Sequence, residues 1–206
     1  MDAQTCLQKL KLVGTLAFAT VDTQGNPQIR NVSALHYEPE TMYFLTSRGK
    51  PFAHELQRDG RVQVLALTRL CEMIRVSATA APVDEGWQAH WRDVIYEECP
   101  ELSNVYPGNT RDINIIFRLK NLSIEYFNLG VNPIFRETYT TGTAQTADKG
   151  YRIADACIEC GTCSSVCPQG AIEQGSPCRI HPEHCLHCGA CFEACPAEAV
   201  INLSQQ

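Results

Sequence analysis

Nine of the twelve cysteines in this chain lie between residues 157 and 195, and their spacing is that of metal ligands. Eight of them form two runs of the pattern Cys-x-x-Cys-x-x-Cys-x-x-x-Cys-Pro, and every cysteine of the first run recurs 28 positions later. The first run contains Cys157, Cys160, Cys163 and Cys167, and the second contains Cys185, Cys188, Cys191 and Cys195. Such runs are typical of thiolates that surround iron–sulfur clusters. Zinc is the alternative metal, but it favours paired Cys-x-x-Cys knuckles separated by a longer loop.

Residues 151–206 resemble bacterial two-cluster ferredoxins over essentially their whole length. The residues that flank the cysteines repeat as well, since Pro168 recurs as Pro196 and Gly161 as Gly189. The resemblance implies two [4Fe–4S] clusters, each held by three cysteines of one run and the last cysteine of the other. One cluster is then held by Cys157, Cys160, Cys163 and Cys195, and the other by Cys185, Cys188, Cys191 and Cys167. The implied function is redox chemistry, in which the protein moves electrons.

Four other residues of this module match no ligand position. Cys178 is interpreted as a small buried or loop thiol, because free cysteine usually behaves as a small hydrophobic residue. His181, His184 and His187 are expected in a solvated loop. The module carries two arginines against six acids before any cluster is added, and a thiolate-bound cluster adds further negative charge. We therefore expect an electron-donor or electron-acceptor partner protein with a positive face.

The composition of the chain excludes several functional classes. Its 206 residues are 44% hydrophobic and carry a net charge of −6, with no lysine- or arginine-rich run, so neither a nucleic-acid nor an anionic-membrane partner is expected. No apolar stretch is long enough to predict a transmembrane helix. Residues 9–21 have a superficial likeness to a signal peptide, but they are better interpreted as a helix followed by a buried strand. Because the cysteines are spaced as metal ligands rather than as a disulfide framework, a cytoplasmic location is expected.

Three regions follow one another along the chain. Residues 1–128 are expected to form a mixed domain, residues 129–150 a linker or arm, and residues 151–206 the ferredoxin domain. Alternation and turn residues in the first region predict strands over residues 15–21, 28–34, 41–46, 62–67, 73–80, 113–118 and 122–128. Helices are predicted over residues 4–10, 51–58 and 84–97. The expected fold class is therefore α+β and mostly β, with a barrel in the first region.

The first region also carries a set of short segments in a characteristic order. These are residues 15–21, the turn Gly25-Asn26-Pro27, residues 30–33, residues 42–47, Lys50-Pro51 before a short helix, and finally residues 60–64. Over about residues 5–128 this order resembles the pyridoxamine 5′-phosphate oxidase-like family of split barrels that bind flavin mononucleotide (FMN). Neither a dinucleotide-binding glycine motif nor a P-loop is present in the sequence.

The resemblance implies an FMN site whose residues fit the chemistry of the cofactor. Arg30, Lys50, Thr46 and Ser47 are expected to bind the phosphate, because it needs cationic and hydroxyl donors. Val32, Ser33 and Leu45 are expected to offer backbone groups to the flavin ring. The alternative interpretation makes Arg30 and Lys50 surface charges and the Thr46-Ser47 pair the end of a strand.

The resemblance also implies a homodimer with flavin in the subunit interface, to which residues 72–75 are the candidate contribution of the second subunit. A pyridoxine-phosphate substrate is not expected, because the linker and ferredoxin module replace the family's C-terminal substrate-binding stretch. Residues 97–112 are interpreted either as a lid or as a surface loop. His36 and Tyr37 are placed either beside the flavin or in the core.

The sequence thus predicts a flavo-iron–sulfur redox protein. Single electrons would pass between two [4Fe–4S] clusters and FMN, and the flavin would reduce a small-molecule substrate. One alternative is an electron carrier without a substrate of its own. Another is a cluster-bearing binding or sensing protein whose barrel binds haem or nothing.

Overall fold

The structure, a computed structural model, describes residues 1–205. In chain order the helices and strands are α1 (Ala3–Val13), β1 (Leu16–Val21), β2 (Pro27–Val32), β3 (Leu35–Glu38), β4 (Thr41–Ser47), α2 (Pro51–Arg58), β5 (Arg61–Leu67), β6 (Glu72–Pro82), α3 (Glu85–Glu98), α4 (Leu102–Val105), β7 (Asn114–Asn128), β8 (Phe135–Thr140), β9 (Tyr151–Ile153), α5 (Thr162–Ser165), β10 (Ile172–Glu173), β11 (Arg179–Ile180), α6 (Ala190–Glu193) and β12 (Val200–Asn202). Short 3-10 segments span Gly108–Ile113, Pro182–His184 and Leu203–Gln205.

The chain divides into two compact units. Unit 1 comprises Met1–Thr68, Met73–Glu125 and Tyr139–Gln145, and unit 2 comprises Arg69–Glu72, Tyr126–Thr138 and Thr146–Gln206. Residues 129–150, which the sequence suggests as a linker, contain strand β8, which pairs with β7. The side chains of β8 are half-buried or exposed, so this strand lacks the alternation that predicts one.

Unit 1 is built on the large sheet, whose strand order is β2-β1-β5-β6-β7-β4-β3 with β8 beside β7. The β1–β2 hairpin turns at the predicted position, where Gly25 has a φ of +87°. Residues 113–118 and 122–128 were predicted as two strands, but they belong to the single strand β7. Asn121 has a φ of +53° and keeps the chain extended on both sides of it. Asparagine tolerates this conformation better than most residues.

The interior of unit 1 is lined by the inward-facing residues of the sheet. Phe18 and Phe44 are fully buried, and their ring centroids lie 5.0 Å apart. Phe52 from α2 and Phe117 from β7 pack on Phe44 at 5.7 and 5.5 Å. Because side chains alternate across a strand, this packing fixes which residues of β1, β2 and β4 face α2.

Unit 2 has little regular structure. Its strands β9 and β12 pair over three residues, and β10 and β11 over two. Its two single-turn helices each follow a glycine in the left-handed conformation, Gly161 before α5 and Gly189 before α6. Both glycines belong to the cysteine runs, and they let the chain turn back around each group of thiols.

Candidate functional site

An open cleft of about 530 Å³ lies in unit 1, beside β2, the end of β4 and the start of α2. Its volume falls within the range of about 300–1,000 Å³ that is usual for small-molecule sites. Six of the seven predicted flavin-binding residues line it: Arg30, Val32, Ser33, Leu45, Thr46 and Lys50. The seventh, Ser47, is buried and hydrogen-bonds at 2.7 Å to the hydroxyl of Tyr106, which itself lines the cleft. The structure therefore brings the predicted set together.

Arg30 is held in place by a buried carboxylate. Its Nη2 donates to Oε2 of Glu55 at 2.9 Å, and its Nη1 donates to the hydroxyl of Thr20, which in turn donates to Glu55. The guanidinium also stacks over the Phe52 ring, 4.4 Å from the ring centroid. Glu55 and Thr20 are 7% and 5% exposed. Arg30 is therefore fixed in orientation, and one cation of the cleft already faces a negative charge.

Lys50 supplies the second cation at the same end of the cleft. It is the residue before α2, whose N-terminus has no side-chain cap. Its side chain hydrogen-bonds to Tyr106, which also bonds to Ser47. Burial alone would raise the pKa of Tyr106, but the hydrogen bonds to Ser47 and Lys50 outweigh it and lower that pKa. Lys50, Tyr106 and Ser47 thus form one polar cluster.

The donor set at this end fits a phosphate group. Two cations face one carboxylate, the hydroxyls of Thr46 and Tyr106 lie nearby, and the uncapped helix N-terminus adds a partial positive charge. Backbone groups of residues 31–34 border the rest of the cleft, as a planar heteroaromatic ring requires. The residues present therefore match the phosphate and the ring of FMN.

Several lining residues were missed by the sequence reasoning. Glu55 lies in a helix and has no motif around it, so its pairing with Arg30 depends on how α2 packs on the sheet. Leu102, Val105 and Tyr106 come from the segment interpreted as a lid or a surface loop, and they form one wall of the cleft. These three residues lie in or next to α4, which is only four residues long and so too short to show a helical periodicity in the sequence.

His36 and Tyr37, by contrast, are not among the lining residues of the cleft. His36 lies 5.4 Å from the Trp91 ring, and its Nδ1 lies 3.0 Å from Oε2 of Glu98. Tyr37 has a buried hydroxyl without a hydrogen-bond partner. Burial, reinforced by the charge of Glu98, raises the pKa of Tyr37. Both residues are half-buried and lie away from the cleft, so the structure favours neither a place beside the flavin nor a fully buried one.

The eight cysteines of the repeat gather around two small, mostly apolar cavities in unit 2. Site A is lined by Cys157, Cys160, Cys163 and Cys195. Site B is lined by Cys167, Cys185, Cys188 and Cys191. Each site thus takes three cysteines from one run and the last cysteine from the other, as the ferredoxin resemblance implies. None of the cysteines in the part of the chain that the structure describes forms a disulfide bond.

Backbone amides donate hydrogen bonds to the sulfur atoms of two of these cysteines. The amide of Ala171 donates to Sγ of Cys167 and that of Ala199 to Sγ of Cys195, both at 3.3 Å. Burial raises the pKa of the Cys191 thiol to about 11, and the neighbouring Cys185 adds to that effect. Metal binding overcomes this cost, since a coordinated thiol is deprotonated outright. Four sulfur donors around an enclosed apolar space fit a [4Fe–4S] cluster.

Cys178 is buried, as interpreted from the sequence, and it also lines site A. Its backbone amide and its thiol hydrogen-bond to Cys157 and lower the pKa of that thiol. His184 is half-buried rather than freely solvated, and its Nδ1 lies 2.9 Å from the carbonyl oxygen of Ile134. The sequence did not predict these contacts, because neither Cys178 nor His184 belongs to the repeated cysteine pattern.

Two family profiles match separate parts of the chain. Residues 4–106, half of the chain, match the sequence profile of the pyridoxamine 5′-phosphate oxidase family. Residues 148–199 match the profile of the 4Fe–4S dicluster domain. Among the described residues, no helix has the length and apolar character needed to cross a membrane.

The curated relatives resemble only part of this chain. A pyridoxine/pyridoxamine 5′-phosphate oxidase of Aeromonas hydrophila is 38% identical over 63 residues, which cover 31% of this chain and 30% of that protein. One of Pectobacterium atrosepticum is 37% identical over 62 residues, covering 30% and 27%. The chain thus spans less than a third of the length of these relatives.

Solved structures extend the likeness at the level of the fold. A NimC/NimA family protein from Clostridium acetobutylicum superimposes with a TM-score of 0.56 at 18% identity, covering 66% of this chain and 91% of that one. A pyridoxamine 5′-phosphate oxidase-related FMN-binding protein from Nostoc punctiforme gives a TM-score of 0.53 at 15% identity, covering 68% and 88%. The large sheet is therefore a split barrel.

Proposed function

Because this chain belongs to the pyridoxamine 5′-phosphate oxidase family and carries a 4Fe–4S dicluster ferredoxin domain, we propose that it is a flavo-iron–sulfur oxidoreductase. Single electrons pass between the two cluster sites and FMN in the barrel cleft, and a small molecule is reduced at the flavin. The observation that carries this proposal is the presence, in one chain, of a cleft with the donors for FMN and of two complete four-thiol sites.

The roles of the chain's own residues follow from their positions. Lys50 and Arg30 bind the phosphate of FMN, with Glu55 holding the Arg30 guanidinium in its orientation. Residues 31–34 would hold the flavin ring. Leu102 and Val105 would form the apolar part of one wall of the cleft. Bound FMN supplies a centre that exchanges electrons singly or in pairs, whereas each cluster exchanges them singly.

A homodimer is part of this proposal, and the outer face of the sheet supports it. Ala17 pairs with Leu65, Ala19 pairs with Ile29, and Leu67 pairs with Met73, so that these residues share one face of β1, β2, β5 and β6. Ile29 and Leu67 are 72% and 63% exposed. Exposed apolar residues grouped on one sheet face are characteristic of interaction sites. Arg75 lies on the same face opposite Leu65 and pairs with Glu125 at 3.1 Å.

The substrate is proposed as a small molecule other than a vitamin B6 phosphate, reduced with electrons from a partner protein. The spacing of the cysteines as metal ligands supports a reducing compartment, and we place the protein in the cytoplasm. The competing function is an electron carrier without its own substrate. An open cleft favours the first function, since a substrate needs access to the ring.

The first experiment quantifies iron, sulfide and flavin in anaerobically purified protein and then adds a one-electron donor. About eight irons and one FMN per chain are expected, together with bleaching of the flavin once the clusters are reduced. Eight irons with no flavin would remove FMN from the proposal. Flavin that stays oxidised while the clusters are reduced would contradict the electron path.

A pair of lysine variants tests the cleft directly. Lys50→Gln removes a charge-assisted hydrogen bond of about 1.5–3 kcal/mol, so FMN binding should weaken about ten- to a hundredfold. Lys120→Gln, at an exposed position of β7 outside the cleft, is the matched control and should bind FMN as the wild type does. Equal affinity for both variants would place the phosphate elsewhere.

A further inference from the structure

Sites A and B are built from equivalent backbone. Residues displaced by 28 positions have similar unusual conformations: Glu159 and His187 have φ angles of +59° and +58°. The amide hydrogen bonds to Cys167 and Cys195 have equal lengths, and one of them serves each site. The backbone therefore gives the two sites nearly the same environment. Any difference between them must come from side chains or from residues outside the repeat.

The first difference lies inside the repeat, between the first two cysteines of each run. Site A has Glu159 between Cys157 and Cys160, whereas site B has His187 between Cys185 and Cys188. The carboxyl group of Glu159 accepts a hydrogen bond from the Ser176 hydroxyl. Site A therefore has an acid where site B has an imidazole.

The second difference comes from outside the repeat. Nη1 of Arg136, which lies on β8, donates to the carbonyl oxygen of Cys185 at 3.0 Å. The guanidinium is half-buried and lies 5.0 Å from the centroid of the Phe127 ring. The guanidinium is thus positioned beside the backbone of a ligand of site B.

This position of Arg136 is fixed by its neighbours. The amide of Ile134 donates to Oε1 of Gln169 at 3.0 Å, and the carbonyl of Ile134 accepts from Nδ1 of His184 at 2.9 Å. Both partners flank ligands of site B, since Gln169 follows Cys167 and His184 precedes Cys185. Three hydrogen bonds therefore attach one short segment of the chain to site B.

Other groups near the two sites act in both directions. Asp155 before the first run corresponds to Glu183 before the second, whereas Glu198 after Cys195 of site A has Gly170 as its counterpart at site B. Neutral donors favour site A, because Cys178 hydrogen-bonds to Cys157 and the Thr162 hydroxyl lies 3.3 Å from Sγ of Cys160, where site B has Ala190. At a comparable distance an ionic charge acts on a cluster more strongly than a neutral dipole does.

We propose that the cluster at site B has the higher reduction potential, because Arg136 stabilises its reduced, more negative state while Glu159 destabilises that of site A. A single electron that enters the domain on site A therefore moves to site B. Site A loses one electron, site B gains one, and no proton or bond is exchanged. Arg136 is a positioning residue in this step. The inference rests on the cluster part of the proposed function and is independent of FMN.

The test is a potentiometric titration of the holoprotein, with the reduced clusters followed by electron paramagnetic resonance. Cys160→Ser alters the signal of site A only and so assigns the two signals. In the wild type, site B should be reduced first, with a preference of at least about tenfold, which for a one-electron couple corresponds to about 59 mV. Simultaneous reduction, or earlier reduction of site A, would overturn the proposal.

Variants then identify the cause of the preference. Arg136→Gln keeps a hydrogen-bond donor but removes the charge, and it should lower the preference for site B about tenfold while the potential of site A stays constant. Arg136→Lys, the matched control, should retain most of the preference. A shift that affects both sites equally would contradict the role of Arg136.

Glu159→Gln provides an independent check if Arg136→Gln fails to load iron. It should raise the potential of site A alone and narrow the difference between the sites. An unchanged difference would refute the electrostatic origin. Because the titration reports only the clusters, it remains valid for protein that lacks flavin, so its failure and the failure of the flavin proposal are distinguishable.

Discussion

Unit 1 and unit 2 fill their interiors with different material. The split barrel buries hydrocarbon, with Phe18, Phe44 and Phe117 all fully enclosed. The core of unit 2 contains only a few aliphatic residues, and the cysteines themselves complete it, including Cys163 and Cys191. The barrel can therefore be stable through hydrophobic burial alone, whereas the ferredoxin domain needs the groups that its thiols bind.

Removing iron should show the difference between the two units most clearly. Anaerobic chelation of the clusters should unfold residues 151–205, because their strands are only two or three residues long and their core is made of ligands. Hydrogen exchange followed by mass spectrometry should show lost protection there and retained protection in β1, β4 and β5. Continued protection of residues 151–205 without iron would show that the thiol core is stable by itself.

A cavity in the barrel should destabilise the barrel and leave the ferredoxin domain unaffected, the reverse of iron removal. Phe44→Ala removes a ring that packs on Phe18, Phe52 and Phe117, and it should lower the free energy of unfolding of the barrel by about 3–5 kcal/mol. Denaturant unfolding followed by circular dichroism measures this loss. Iron content should stay unchanged in the folded protein.

The control for this cavity lies in the ferredoxin domain. Phe192 is 44% exposed, so Phe192→Ala should change stability by less than about 1 kcal/mol. A loss of similar size in both variants would contradict the idea that only the barrel depends on its aromatic interior.

The close packing of the barrel should extend to its backbone. Gly60 has a φ of +72°, and a Cβ there would lie 2.8 Å from the carbonyl oxygen of Ala80. Gly25 has a φ of +87° in open space. Both alanine variants incur the left-handed penalty of about 1–2 kcal/mol, but Gly60→Ala should lose more because the carbonyl must move. Equal losses in thermal unfolding would mean that the backbone near Gly60 yields freely.

The smallest expected effect is a pH dependence confined to the barrel. Burial alone would raise the pKa of Glu98, but hydrogen bonds from His36 and Lys11 outweigh it and lower that pKa below 4.5. The stability that Glu98 contributes is therefore present above pH 4.5 and is lost as the pH falls through its lowered pKa. After allowance for solvent screening it amounts to about 1 kcal/mol at most.

Glu98→Gln tests this contribution. The variant should be less stable than the wild type near pH 6, and the two unfolding curves should converge as the pH falls below 4. A constant difference across this range would assign the effect to packing rather than to charge. Cys191 in unit 2 provides the contrast, since burial raises the pKa of its thiol.

The sequence predicted those parts of the fold that rest on local patterns. Alternation identified five strands of the large sheet, and Pro51 marked the start of α2. Strand β3 was missed because it is only four residues long, and β8 because its side chains face no core. Asn121 separated β7 into two predictions, since a single residue with positive φ leaves no trace in hydrophobic periodicity.

The two candidate sites also differed in how far the sequence predicted them. Thiol ligands must follow fixed spacings, so the cysteine repeat was legible in the sequence. The cleft in the barrel was predicted from ordered segments, but Glu55, Tyr106 and Arg136 were not assigned to a site, because each reaches its partner across a long stretch of sequence. Glu55 lies 25 residues from Arg30 and Arg136 lies 49 residues from Cys185. Such pairs become visible only when packing has been specified.

The exchange of cysteines between the two runs has a consequence for how this domain can be inherited. Cutting the chain between Cys167 and Cys185 would leave site A without Cys195 and site B without Cys167. Each half would keep four cysteines, but the last cysteine of each run is placed at the other run's site. A lineage can therefore acquire or discard both centres together, whereas trimming the domain to one centre requires the chain to refold so that the last cysteine reaches its own run, or requires a new fourth ligand.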